Sequence, residues 1–143
     1  MAQLLSNDAL VAASLAWFLA QISKLFIVLL RERKLQFSYL TSAGGMPSSH
    51  SAVVVALATR IGMDNGMSSP LFAIAFIFAG VVLCDAAGIR RAVSGQARIL
   101  NRMLEEVIDL RRFNEKRLLE LLGHTPFEVF IGSLLGMLVA LSW

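Results

Sequence analysis

The sequence predicts an all-α integral membrane protein, a helical bundle of about four transmembrane helices with a cytoplasmic amphipathic helical hairpin. Three observations predict it. The 143 residues are 57% hydrophobic and 16% charged, against roughly 25% charged in a soluble domain. So short a chain has too high a surface-to-volume ratio to hide that much apolar surface from water. The apolar residues also fall in long runs, and the basic residues cluster between alternate runs. With no repeats, low-complexity runs or Pro-rich linkers, one domain over 1–143 is expected, with 90–123 as a cytoplasmic helical connector.

The first run, Ala9 to Leu30, has 22 residues and few polar interruptions, Gln21 and Lys24 among them. At about 1.5 Å per residue it crosses a hydrocarbon core of about 30 Å. Ser51 to Met63 is shorter and contains Arg60. On hydropathy it is either a short span extended back through Pro47 or a helix buried among the others. Pro70 to Ala87 is a strong span with Asp85 near its end, and Phe127 to Trp143, with 17 residues, sits at the short limit. The opening MAQLLSND carries no Lys or Arg, which speaks against a cleaved signal peptide. Cys84 is the lone cysteine, so no intrachain disulfide is possible, and its apolar setting suggests packing.

Charge decides for four spans. Arg31, Arg33 and Lys34 follow the first run, and Arg90, Arg91, Arg98, Arg102, Arg111, Arg112, Lys116 and Arg117 lie between the third and fourth. The connector around Asp64 has no Lys or Arg, so eleven of the 13 basic residues share one side only if Ser51 to Met63 crosses. The positive-inside rule makes that side cytoplasmic and puts both termini outside. The same rule accounts for the pI of about 9.6, which leaves no need to invoke nucleic acid. Between Ala92 and Leu122, Val93, Ala97, Leu100, Leu104, Val107 and Ile108 recur at helical spacing with charges opposite. This pattern predicts a hairpin packed on the bundle or lying at the interface; no heptad run is long enough to favour a coiled coil.

Several polar groups then stand where hydropathy gives them no reason to be. Lys24 and Arg31 are seven residues apart, so both point the same way, about 10 Å apart along a helix. Either Lys24 snorkels to the interface, or the two line an anion pocket. Gly44-Gly45-Met46-Pro47-Ser48-Ser49-His50 reads as a turn feeding a helix, where first-turn N–H groups attract an anion. Ser48 and Ser49 can add hydroxyl donors and His50 a proton; plain capping with a solvated histidine is the other reading. In Gly123-His124-Thr125-Pro126-Phe127-Glu128, Gly123 can end one helix, and Thr125 to Glu128 fits a capping box with Pro126 at the first helical position. Glu128 is therefore either a cap or the group that orients His124 as a nucleophile. Asp85 pairs with Arg90 or Arg91, or else those arginines hold phosphate.

In order along the chain, Lys24-x6-Arg31, Pro47-Ser48-Ser49-His50 and His124-x3-Glu128 resemble the motifs of the type-2 phosphatidic acid phosphatase and vanadium haloperoxidase superfamily. Over nearly the full length, including GGMPSSHSA, DAAGIRRAVSGQARILN and LLGHTPFEVFIG, the chain looks like its small divergent branch. The resemblance implies that Lys24, Arg31, Ser48 and Ser49 bind phosphate, His50 protonates the leaving alkoxide, His124 attacks phosphorus, and Glu128 orients His124. It implies no metal and no cofactor. Four departures stand out: Glu32 follows Arg31 where the pattern has Pro, Ser49 replaces Gly, Glu128 replaces Asp, and the third motif's arginine is missing six residues before His124. Arg117 is seven before, turned by about 100° on a helix, so Arg90 or Arg91 is the expected substitute.

The function expected is an acid phosphatase-like hydrolase acting on a phospholipid or isoprenoid phosphate or diphosphate drawn from the surrounding membrane lipid through a phosphohistidine. A non-catalytic protein that binds anionic lipid headgroups or a partner is the alternative, favoured by the altered third motif. Four spans leave little room for a transport path unless the protein is a homo-oligomer.

Overall fold

The computed structural model describes residues 6–32, 45–107 and 124–143, with side chains at 31–32, 89–95, 98 and 104–107 outside that set. The described residues form four helices and no strand: α1 (Asp8–Glu32), α2 (Ser49–Asn65), α3 (Pro70–Val107) and α4 (Pro126–Ser142). Two stretches are long and apolar enough to cross a bilayer, Asp8–Leu30 and Pro70–Gly88. At 17 residues each, α2 and α4 are about 25 Å long, a little short of a hydrocarbon core of about 30 Å.

The short helices hold the centre. α2 packs against all three others, α4 also touches α1 and α3, and among the described residues α1 and α3 do not meet. The contact surfaces are built from small residues. Ala16 and Ala20 of α1, Ala52 and Ala56 of α2, and Val139 and Ala140 of α4 form one buried cluster. Val54 and Ala58 meet Ala75 and Ala79 of α3 in a second. The large apolar side chains point outward instead, Phe26, Leu30, Ile74, Phe76, Ile77, Phe130 and Leu138 among them, all more than half exposed. This inversion is what lipid asks for: tails solvate Phe and Ile, whereas close backbone approach through small residues is what draws helices together.

α2 and α4 run parallel and come close together at two glycines. A Cβ added at Gly132 would overlap the Ser48 carbonyl oxygen, and one at Gly136 would overlap that of Ala52. The two contacts are one turn apart on both helices, so they fix the register between them. At the far end of α2, Arg60 pairs with Asp8 of α1 at 3.2 Å and with Asp64 one turn on at 3.1 Å. Those carboxylates account for an arginine in an otherwise apolar helix.

The region after the third run differs from the expected break. α3 continues without interruption from Pro70 to Val107, a length of about 57 Å, so the first arm of the expected hairpin is a direct extension of the membrane helix. A lone Gly88 costs only about 1 kcal/mol in a helix interior, and Ala, Arg, Leu and Glu follow it. The rest of that hairpin, 108–123, falls outside the described residues, as do Arg33, Lys34, Gly44, Arg111, Arg112, Lys116, Arg117 and Gly123.

Candidate functional site

Three chain segments distant in sequence meet at one end of the bundle. Gly45, at φ +99°, makes the turn before α2 and lies against the alkyl stem of Lys24, which descends from α1. Ser48 is the N-cap of α2: its Oγ accepts from the Ser51 N–H at 3.3 Å and lies 2.9 Å from the Ser51 hydroxyl. Its backbone N–H donates to the Glu128 carbonyl at 3.1 Å, and its own carbonyl accepts from Ala52. Ser48 is wholly buried, so among the two expected readings the capping one describes its hydroxyl. Ser51, unnoticed in the sequence, is its partner.

Lys24 is 3% exposed, and its Nζ donates to Ser49 Oγ at 3.3 Å. A snorkelling lysine would carry its ammonium out to water; this one turns inward to the start of α2. The snorkelling reading therefore does not describe Lys24, whose ammonium meets the first residue of α2. Arg31 lies on the last turn of α1, two turns beyond Lys24, with its side chain outside the described set.

His124 precedes α4 and is 3% exposed. Its Nδ1 lies 3.3 Å from Glu128 Oε2. The same carboxylate oxygen accepts the Thr125 N–H at 3.1 Å, while the Glu128 N–H donates to Thr125 Oγ1 at 3.1 Å, completing the capping box. The cap and the histidine contact are thus not alternatives. With Nδ1–H donating to the carboxylate, the ring's lone pair resides on Nε2, and that atom is buried with no hydrogen-bond partner. Burial, the largest influence, holds His124 below its ordinary pKa of 6.5; the Glu128 hydrogen bond opposes this, and the Lys24 charge adds to it. The ring is neutral at pH 7.

His50, exposed on the first turn of α2, faces His124 edge to face with ring centroids 5.7 Å apart. Asp85 is exposed on α3. Arg90 and Arg91 follow it on the same helix, and their side chains are not described. The contacts of the site therefore come from α1, the start of α2 and the start of α4. No group of three or more His, Cys, Asp or Glu suited to a metal ion occurs among the described residues.

Small-residue packing inside, large apolar groups outside and a buried histidine that meets a carboxylate and faces a second histidine define an all-helical membrane protein with a cluster of polar side chains at one end. The chain belongs to the divergent PAP2 family, whose model matches residues 5–139. It is 42% identical over 153 residues to the uncharacterized membrane protein YuiD of Bacillus subtilis (strain 168), covering 97% of this chain and 95% of that protein. No solved structure matches the chain significantly.

Proposed function

We propose that this protein is a membrane-embedded phosphatase that hydrolyses a lipid phosphate or diphosphate through a phosphohistidine. The observation that carries the reading is His124, neutral, held at Nδ1 by Glu128 and left with an unpartnered buried Nε2. A buried polar atom without a partner costs stability, so a nitrogen kept in that state is kept for a ligand. Nε2 attacks phosphorus, forming the P–N bond as the ester P–O bond breaks. His50 gives its proton to the departing alkoxide, then takes one from the water that cleaves P–N and releases inorganic phosphate. His50 is exposed and so is the ring that can move aside as the phosphoryl group enters. Lys24, Ser49 and the α2 N-terminus supply positive charge and donors to the phosphoryl oxygens, which is most of what such a transition state requires. Arg31 and one of Arg90 and Arg91 add to that charge in this reading, with Asp85 holding the arginine. The basic connectors and the site lie on the cytoplasmic side of a four-span bundle.

Purified protein with chelator present should release phosphate from a long-chain lipid phosphate, and His124→Ala should abolish release and any acid-labile phosphoenzyme. Full activity in that variant would sink the nucleophile assignment. The altered third motif, with Leu118 six residues before His124, favours a second reading, a binding protein for anionic headgroups. Headgroup binding without turnover, unchanged in His50→Ala, would be its signature.

A further inference from the structure

We infer that Gly132 is a positioning residue for this site: its missing side chain seats the Ser48 carbonyl on α4 and so sets where Ser49 and His50 stand relative to His124. The inference rests on the phosphatase reading. Ser48 uses its polar atoms inside the protein. Its N–H is held by the Glu128 carbonyl at 3.1 Å, its carbonyl by the Ala52 N–H at 3.1 Å, and its hydroxyl by Ser51 at 2.9 Å. It is wholly buried, so it acts as a pin rather than as a phosphate ligand. The pin joins the two halves of the site through a single residue. On one side it is bonded to Glu128, the residue that orients His124; on the other it is followed directly by Ser49 and His50.

The pin closes only because α4 offers no Cβ at 132. A Cβ there would overlap the Ser48 carbonyl oxygen and lie 3.1 Å from both the Ser48 carbonyl carbon and its Cβ. Most of the atoms met are backbone in the first turn of α2, which cannot swing away as a flexible side chain would. The turn that leads into α2 must therefore back away from α4 at that contact. A displacement on the order of 1 Å at reacting groups can cost about a hundredfold in rate. Gly136 is the internal control. Its Cβ would meet the Ala52 backbone just as severely, but one turn further from the histidines.

The test compares Gly132→Ala and Gly136→Ala in detergent micelles, with a short-chain lipid phosphate as substrate, orthovanadate as phosphate analogue, and rates expressed per folded molecule. Gly132→Ala should lose about a hundredfold in kcat and weaken orthovanadate binding, with KM for the lipid changed far less. Gly136→Ala should lower the unfolding temperature as much but keep kcat within about tenfold of wild type. Equal losses in kcat, or none in Gly132→Ala, would overturn the inference, since helix spacing alone would then explain both glycines. Hydrogen exchange on the unmodified protein gives an arm that does not depend on either variant folding. The Ser48 amide should exchange as slowly as that of Ala52, and exchange as fast as an open turn would overturn the seat. A wild-type protein that neither binds orthovanadate nor releases phosphate would instead overturn the phosphatase reading, and the positioning role with it.

Discussion

Glu128→Gln separates the two duties that one carboxylate oxygen performs. Glu128 Oε2 accepts from the Thr125 N–H at 3.1 Å and lies 3.3 Å from His124 Nδ1. Glutamine is also a capping-box residue, and its carbonyl oxygen can accept the same N–H. The loss to folding is then mainly the negative charge at the helix N-terminus, about 0.3–1 kcal/mol, or a few degrees in unfolding temperature. The loss to chemistry is larger. A neutral amide no longer favours the Nδ1–H form of the ring, and a side chain turned the other way donates to Nδ1 and moves the proton to Nε2, where the attacking lone pair should be. In a serine protease triad the equivalent carboxylate-to-amide change costs about 10⁴ in kcat. A drop of at least about a hundredfold is expected here, because His124 is fixed on the same scale by burial. The assay is phosphate release alongside thermal unfolding in the same detergent. Release within about twofold of wild type, with the fold intact, would refute the orienting role and leave Glu128 as a cap alone.

Three other outcomes follow from the geometry. His124 has a folded-state pKa below its ordinary 6.5 because of burial, so the unfolded chain binds more protons between those two values. Stability is then fully present above pH 6.5 and lost as pH falls through the folded pKa; unfolding temperatures from pH 7.5 to 5 should show this slope, and His124→Gln should flatten it. Lys24→Met should fold, since it replaces a buried ammonium with an apolar side chain of similar length. It should nonetheless weaken orthovanadate binding by about ten- to a hundredfold, the worth of a hydrogen bond to a charged group, as measured by competition against phosphate release. Arg60→Met breaks two partly exposed ion pairs with Asp8 and Asp64 worth about 1 kcal/mol or less each; its unfolding temperature should fall by a few degrees, while kcat per folded molecule should not change, because those pairs lie at the opposite end of α2.

Local pattern made the helices legible. Apolar length placed α1 and the membrane part of α3 within a few residues, and Thr125-Pro126-Phe127-Glu128 marked the start of α4 because a capping box is written in consecutive residues. The continuation of α3 past Gly88 was not legible. The charged segment after Gly88 keeps a helical period of its own, and nothing in the period distinguishes a new helix from a continuation of the old one. Arg60 shows the same limit: Asp64 at the next turn is visible in the sequence, whereas Asp8 is 52 residues away and only the antiparallel packing of α1 on α2 brings it near.

In the site, residue types were legible and orientations were not. Lys24, Ser49, His50, His124 and Glu128 stand out as polar groups in apolar or turn settings, and the structure gathers them. For Glu128 the sequence offers capping and catalysis as competitors, yet one oxygen serves both, because a cap at N3 and a histidine just before the N-cap lie on the same side of the first turn. For Ser48 they do compete, and capping takes the hydroxyl: an N-cap oxygen turns back over its own helix, toward the Ser51 N–H and away from any ligand ahead of the turn. Gly132 carries no chemical signal at all. Its importance is the atom it lacks, and that can be seen only once the Ser48 carbonyl is found occupying the place where the Cβ would be.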